Sequence, residues 1–202
     1  ALPEVASTVW SNLVMTAHLT PGEMLLIHGG ASGIGTHAIQ VATALGNRVA
    51  VTAGSQSKLD LCAELGAETQ ISYRDEDFVA RVNNATDGRG ADVIFDPVGG
   101  EVSVQAFRSI AWNGRHLVVG FAAGQIPALP FNLPLLKGGV LTGVDIAQIH
   151  RREPDAEQRV TAQLMAWLRD GKLVPVVGQV FAFNDFREAF RTMQSRAALG
   201  KM

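Results

Sequence analysis

The sequence predicts an α/β fold: a doubly wound parallel sheet in three αβα layers. Two patterns carry that prediction. From residue 23 onward, short apolar runs alternate with stretches of helical period, the order expected of βαβ units. Four glycines also fall within residues 29–35, directly behind the apolar run MLLI. Size and composition agree: 202 residues, 47% hydrophobic and 18% charged, describe one compact domain with a sizeable core rather than a disordered chain.

Taken in order, EMLLIH (23–28) reads as a buried first strand. Behind the glycines, Ile34, Ala38, Val41 and Leu45 recur at helical spacing, with Gly46 as the stop. RVAVTA (48–53) is the second strand, and SQSKLDLCAELG (55–66) a helix with Leu59, Cys62 and Ala63 inward. TQISY (69–73) is a third strand. DEDFVARVNNA (75–85) places acids in a first helical turn, where the dipole favours them. ADVIFD (91–96), a helix over 101–111, and GRHLVVGF (114–121) continue the alternation. The proline-dotted 124–136 reads as a loop and GVLTGVDI (139–146) as a sixth strand. A helix over 155–171, an extended piece at 176–183 and a last helix over 184–194 complete the chain.

Composition excludes several roles. Seventeen Lys and Arg against nineteen Asp and Glu give a net charge of −2, so no broad basic surface recruits nucleic acid. The single cysteine, Cys62, permits no internal disulfide and no four-cysteine zinc site, and a reducing, cytoplasmic setting is the simplest reading. No apolar stretch approaches the roughly 20 residues that span a bilayer, so no membrane role is expected. The histidines at 18, 28, 37, 116 and 150 lack metal-ligand spacing, and no metal site is expected. Both ends read as those of a fragment or processed chain.

A glycine cluster between a strand and a helix has a physical use. The first N–H groups of a helix lack partners and its dipole favours an anion. Positions without side chains let the main chain approach a pyrophosphate and let the helix pack on the sheet. Gly30, Ser32, Gly33, Ile34 and Gly35 are assigned that role. The spacing departs from G-x-G-x-x-G, because Ser32 holds the middle position and Gly33 follows it. It is the βαβ context that favours a dinucleotide over a ligand-free turn.

The second strand bears on which nucleotide. A domain that binds NAD places an acid about 20 residues on, for the ribose 2′-hydroxyl. Here no acid occurs between Glu23 and Asp60, and the strand ends in AGSQSK, offering Ser55 and Lys58. A hydroxyl and an ammonium suit a 2′-phosphate that a carboxylate would repel, which predicts NADPH. The glycine spacing also fits short-chain dehydrogenases, whose chemistry needs a Tyr with a Lys four residues later. Tyr73 is the only tyrosine and Asp77 stands at that offset, so this family is rejected.

LPEVASTVWSNL, LTPGEMLLIHGGASGIGTHAIQVA, ISYRDEDF, DVIFDPVGG, GRHLVVGFAAGQIPALPFNLPLLKG and the terminal SRAALGK together resemble the medium-chain dehydrogenase/reductase superfamily. Within it, the resemblance is to zinc-independent NADPH:quinone oxidoreductases related to zeta-crystallin. It implies a Rossmann domain over 1–202, with an N-terminal GroES-like substrate domain and part of a last strand lying outside this chain. It implies that Ser55, Lys58 and Tyr73 surround the 2′-phosphate, with Arg196 a further phosphate contact. Thr8, Gly120 and Phe121 would line the nicotinamide. It also implies a homodimer through the sixth strand and a quinone-like small-molecule substrate.

No nucleophile–base pair is visible, and Asp96, at the end of strand four, is open to a structural or a catalytic role. Three functions remain at this stage: a quinone reductase domain, an enoyl reductase domain, or a non-catalytic NADPH-binding module. The isolated chain is expected to bind cofactor with little turnover.

Overall fold

A computed structural model describes residues 2–143 and 145–202. Six strands form one sheet: β1 (Met24–His28), β2 (Arg48–Ala53), β3 (Thr69–Ser72), β4 (Ala91–Asp96), β5 (Ile110–Val118) and β6 (Val140–Thr142). Their order is β3-β2-β1-β4-β5-β6, every pair parallel. Around the sheet stand α1 (Pro3–Trp10), α2 (Gly35–Ala44), α3 (Gln56–Glu64), α4 (Phe78–Ala85) and α5 (Glu101–Arg108). They are followed by α6 (Asn132–Lys137), α7 (Ile146–Arg152), α8 (Pro154–Arg169) and α9 (Phe186–Gln194). This is the doubly wound, Rossmann-like α/β fold that the alternation predicts.

Strand period explains the layers. Leu25, Ile27, Val49, Val51, Val93 and Phe95 point to one face, where Val9 of α1, Ala38 and Val41 of α2, and Leu164 and Trp167 of α8 cover them. Met24, Leu26, Ala50 and Ile94 point to the other, against Val82 of α4 and Phe107 of α5. With both faces covered, the central strands read as unbroken apolar runs rather than alternating ones. Each fully buried Leu, Ile or Phe adds about 1.5–3 kcal/mol of transfer free energy. The chain reverses direction across the sheet between β1 and β4, which opens a crevice at their carboxyl ends.

Several boundaries differ from the sequence expectation. The helix over 101–111 stops at Arg108, because Ile110 already pairs with Ala91. A register shift follows, carried by Asn113 at φ +60° and by Gly114, whose missing Cβ leaves room for Ile110. An apolar run this short does not distinguish helix from strand.

The expected loop at 124–136 contains α6, whose Pro134 sits in the first turn, where a missing N–H breaks no helical bond. The sixth strand is only Val140–Thr142; Asp145 caps α7 by accepting from Ala147 N–H at 2.9 Å, and Val144 lies outside the described residues. Asp75 and Glu76 precede α4 rather than forming its first turn, and Asp77 is its cap. Ala63 faces solvent. Over 176–183, the only pairing among described residues is through Val177, to Gly200 and Lys201.

Phe95 is fully buried, one residue before the end of β4. Phe95→Ala is expected to cost about 3–5 kcal/mol, read as a lower urea midpoint with an unchanged denaturant slope.

Candidate functional site

The β1–α2 turn sits at the crevice. Gly29 takes φ +69°, and Gly30 N–H bonds back to the Thr52 carbonyl at 3.1 Å, holding the turn against β2. The Ser32 hydroxyl accepts from Gly35 N–H at 3.0 Å, and the Ser32 carbonyl accepts from Thr36 N–H at 2.9 Å. Side chains are sterically barred at two positions. A Cβ on Gly30 would stand 2.8 Å from Val51 and 2.9 Å from Cys62 Sγ, and one on Gly35 would strike the carbonyl oxygens of Gly29 and Gly30. The N–H groups of Gly33 and Ile34 donate to no acceptor among the described residues. Two unpaired donors therefore stand at the positive end of α2, which fits a diphosphate.

The second cluster lies at the ends of β2 and β3. The Tyr73 ring lies over Gly54, so closely that a Cβ there would meet its hydroxyl. Ser55 Oγ stands 3.3 Å from Ser57 Oγ, and Lys58 Nζ donates to the Arg196 carbonyl at 2.5 Å. Arg196 itself takes φ +57°. The fold thus brings Ser55, Lys58, Tyr73 and Arg196 to one rim. Tyr73 is 47% exposed, so the ring is a surface rather than a core group.

Gly120 and Phe121 follow β5. Gly120 N–H reaches the Asp96 carbonyl at 3.3 Å, and the Phe121 ring, 40% exposed, lies against Gly99. Thr8 lies on α1. It is buried, and its hydroxyl donates to the Glu4 carbonyl at 2.9 Å.

Lys201 is the residue that sequence reasoning missed. Gly200 N–H bonds the Ala31 carbonyl at 2.9 Å and bridges Ser32, which lays the Lys201 methylenes over Gly33. SRAALGK alone offered no spacing that would announce this contact. Burial pushes the Cys62 thiol up to about 12, against the nearby Lys58 charge, so it is a packing group under Gly30 and no nucleophile.

Behind the crevice, Asp96 is almost wholly buried and fully engaged. Oδ1 accepts from Val98 and Gly99 N–H at 2.9 and 3.0 Å; Oδ2 accepts from Ser103 Oγ and from His116 Nε2, the latter at 3.1 Å. Burial alone would raise this carboxyl. The hydrogen bonds from His116, Ser103 and Gly99, with the field of His28, outweigh it and hold the carboxyl well below the usual range. Its oxygens serve the β4–α5 turn, which answers the open question of its role in favour of structure. His28, the last residue of β1, bonds Thr52 Oγ1 at 3.1 Å through Nδ1; burial drives its ring down to about 4.

A parallel, doubly wound sheet with unpaired amides at its first βα turn defines a nucleotide-binding domain. Residues 33–166 match the zinc-binding dehydrogenase family, and the chain belongs to that family as an NAD(P)-binding domain of the medium-chain oxidoreductases. It is 32% identical over 203 residues to quinone oxidoreductase-like protein 2 of Bos taurus, covering 100% of this chain and 58% of that protein. Among solved structures, Escherichia coli quinone oxidoreductase complexed with NADPH superposes with a TM-score of 0.86 at 25% identity, over 97% of this chain and 61% of that one. The CurK enoyl reductase superposes with a TM-score of 0.86 at 27% identity, over 98% and 59%. The chain spans about three fifths of the length of these relatives. Despite the family's descriptive name, no group of three or more His, Cys, Asp or Glu among the described residues is placed to hold a metal ion. No helix among them is long and apolar enough to cross a membrane.

The buried imidazole gives a pH signature. The unfolded His28 ring titrates near 6.5 and the folded one near 4, so the unfolded state takes up a proton the folded state refuses. The resulting stability is full above about pH 6.5, falls as pH drops toward 4, and levels off below it. Asp96, depressed in the fold, adds a further loss below about pH 4. His28→Leu is expected to flatten the limb between pH 6.5 and 4 while leaving the more acid limb, as read by urea midpoints across pH.

Proposed function

We propose that this chain binds NADPH and is the cofactor domain of a reductase that passes hydride to a quinone or a comparable activated carbonyl or alkene. One observation carries the nucleotide choice. The rim at the end of β2 gathers Ser55, Lys58, Tyr73 and Arg196, and no carboxylate stands between Glu23 and Asp60 in the sequence.

In this reading the N–H groups of Gly33 and Ile34, with Lys201, hold the diphosphate. An ammonium has three donors, so Lys58 keeps two for a phosphate while one stays on Arg196. Phe121, braced on Gly99, offers an apolar wall that excludes water from one side of the nicotinamide. Bound NADPH supplies the hydride, and the protein fixes position and local field. The Escherichia coli relative, solved in complex with NADPH, supports the same choice.

A second reading, enoyl reductase, rests on the CurK likeness and on 35% identity to a highly reducing polyketide synthase of Fusarium mangiferae, of which the chain covers 8%. Steady-state assays of a longer parent protein with a quinone and with a thioester-linked alkene separate the two. For the chain itself, titration by calorimetry is expected to show NADPH binding well ahead of NADH. Lys58→Ala is expected to weaken NADPH about tenfold while leaving NADH unchanged. Equal affinity for both nucleotides would overturn the assignment.

We also propose that β6 is the seam of a homodimer. Among the described residues it pairs only with β5, and Val140 is half exposed on it. Sedimentation is expected to show a dimer, and Val140→Lys a monomer.

A further inference from the structure

Thr52, near the end of β2, meets the glycine turn twice. Its carbonyl accepts from Gly30 N–H at 3.1 Å, and its hydroxyl oxygen accepts from Gly29 N–H at 3.4 Å. The first bond prolongs the β1–β2 ladder past its last partners, His28 and Thr52. The second is a side-chain contact, and Thr52 Oγ1 is the one acceptor that Gly29 N–H meets among the described residues. Thr52 is 3% exposed, so little solvent competes for its hydroxyl.

His28 Nδ1 stands 3.1 Å from the same oxygen. A hydroxyl gives one hydrogen and can accept from an amide at the same time. If Nδ1 carried the ring proton, Oγ1 would accept twice and its own hydrogen would lie buried without a partner. With Nδ1 bare, that hydrogen goes to the imidazole and nothing at Thr52 is left over. Burial keeps the ring neutral at ordinary pH, so its one proton then sits on Nε2. Nε2 has no nitrogen or oxygen partner, and the ring meets Phe78 in a T-shape with centroids 5.1 Å apart. An aromatic face can receive an N–H, which suits that assignment.

The Gly29 peptide matters because the rest of the turn is built on it. Gly29 sits at φ +69°, and its carbonyl accepts from Ser32 N–H at 3.0 Å. The carbonyl oxygens of Gly29 and Gly30 also limit how far Gly35 can close on the strand. We propose that the Thr52 hydroxyl, oriented by His28, positions the glycine turn, fixing the Gly29 peptide and through it the free amides of Gly33 and Ile34. The inference rests on the nucleotide reading for its ligand. Thr52 and His28 are both buried, so they act through the turn and not by touching nucleotide.

Thr52→Val keeps the side-chain shape and removes the hydroxyl. In calorimetry it is expected to weaken NADPH and NADH by a common factor of about ten, because both carry the diphosphate. Lys58→Ala, in contrast, separates the two nucleotides. Thr52→Ser, which restores the hydroxyl, is expected to recover most of the loss. His28→Leu, which leaves the hydroxyl free to turn, is expected to weaken both nucleotides about threefold and keeps the test decisive should the valine variant not fold. A purely structural role would lower urea midpoints and leave both affinities alone. In the nucleotide-free protein, nitrogen-15 NMR near pH 7.5 is expected to show the His28 proton on Nε2. Thr52→Val is expected to shift the amide signals of Gly33 and Ile34, which lie beyond the amides that Thr52 holds. Unchanged affinities, a loss confined to NADPH, no recovery in Thr52→Ser, or a proton on His28 Nδ1 would each overturn the proposal. If the parent chain binds neither nucleotide, the nucleotide reading falls, and the signals of Gly33 and Ile34 decide whether Thr52 sets the turn.

Discussion

Everything on the crevice side depends on how closely the first turn of α2 approaches the strand behind it. The main chain at Gly35 touches the carbonyl oxygens of Gly29 and Gly30, and a single methyl group there has nowhere to go. That approach fixes the angle at which α2 leaves the sheet, and so where its unpaired amides point. It also sets the depth of the helix over Val51 and Cys62, which fill the space below Gly30. Affinity for an anion at such a turn comes from donors already in place, with little ordering left to do when the ligand arrives. The glycines lower the stability of the chain as an ensemble and raise the definition of one short stretch of it.

On the opposite face of the sheet, polar groups are buried where apolar ones would pack more simply. Asp96, His28 and His116 sit at the carboxyl ends of β4, β1 and β5, each at most 2% exposed. Four donors converge on one carboxylate, and together they tie the β4–α5 turn to β5. Replacing such a cluster with hydrocarbon would be tolerable for stability. What the cluster supplies is a fixed course for the backbone between β4 and Phe121, hence a fixed wall for whatever binds beside it.

Most of the sheet was legible in the sequence, because strands buried on both faces leave continuous apolar runs and glycines mark the helix ends. Gly46, at φ +82°, stops α2 where the pattern says it should. What escaped was set by tertiary contact. Ile110 and Ala111 continue a helical pattern, but pairing with β4 claims them for β5. Pro134 reads as a loop residue, although the first turn of a helix accommodates it. For the site, Gly30 to Gly35 and the Ser55–Lys58 rim could be read locally, since spacing and charge carry the information. The contact of Lys201 with Gly33 joins residues far apart in sequence, and no short-range pattern encodes it.

That clasp between Gly200, Lys201 and the first βα turn has a consequence for folding. Because Gly200 lies along Ser32, the lip of the glycine turn is finished only when residues 200 and 201 have folded back onto it. A chain nicked near α9 would carry every strand of the sheet yet leave the glycine turn without that lip.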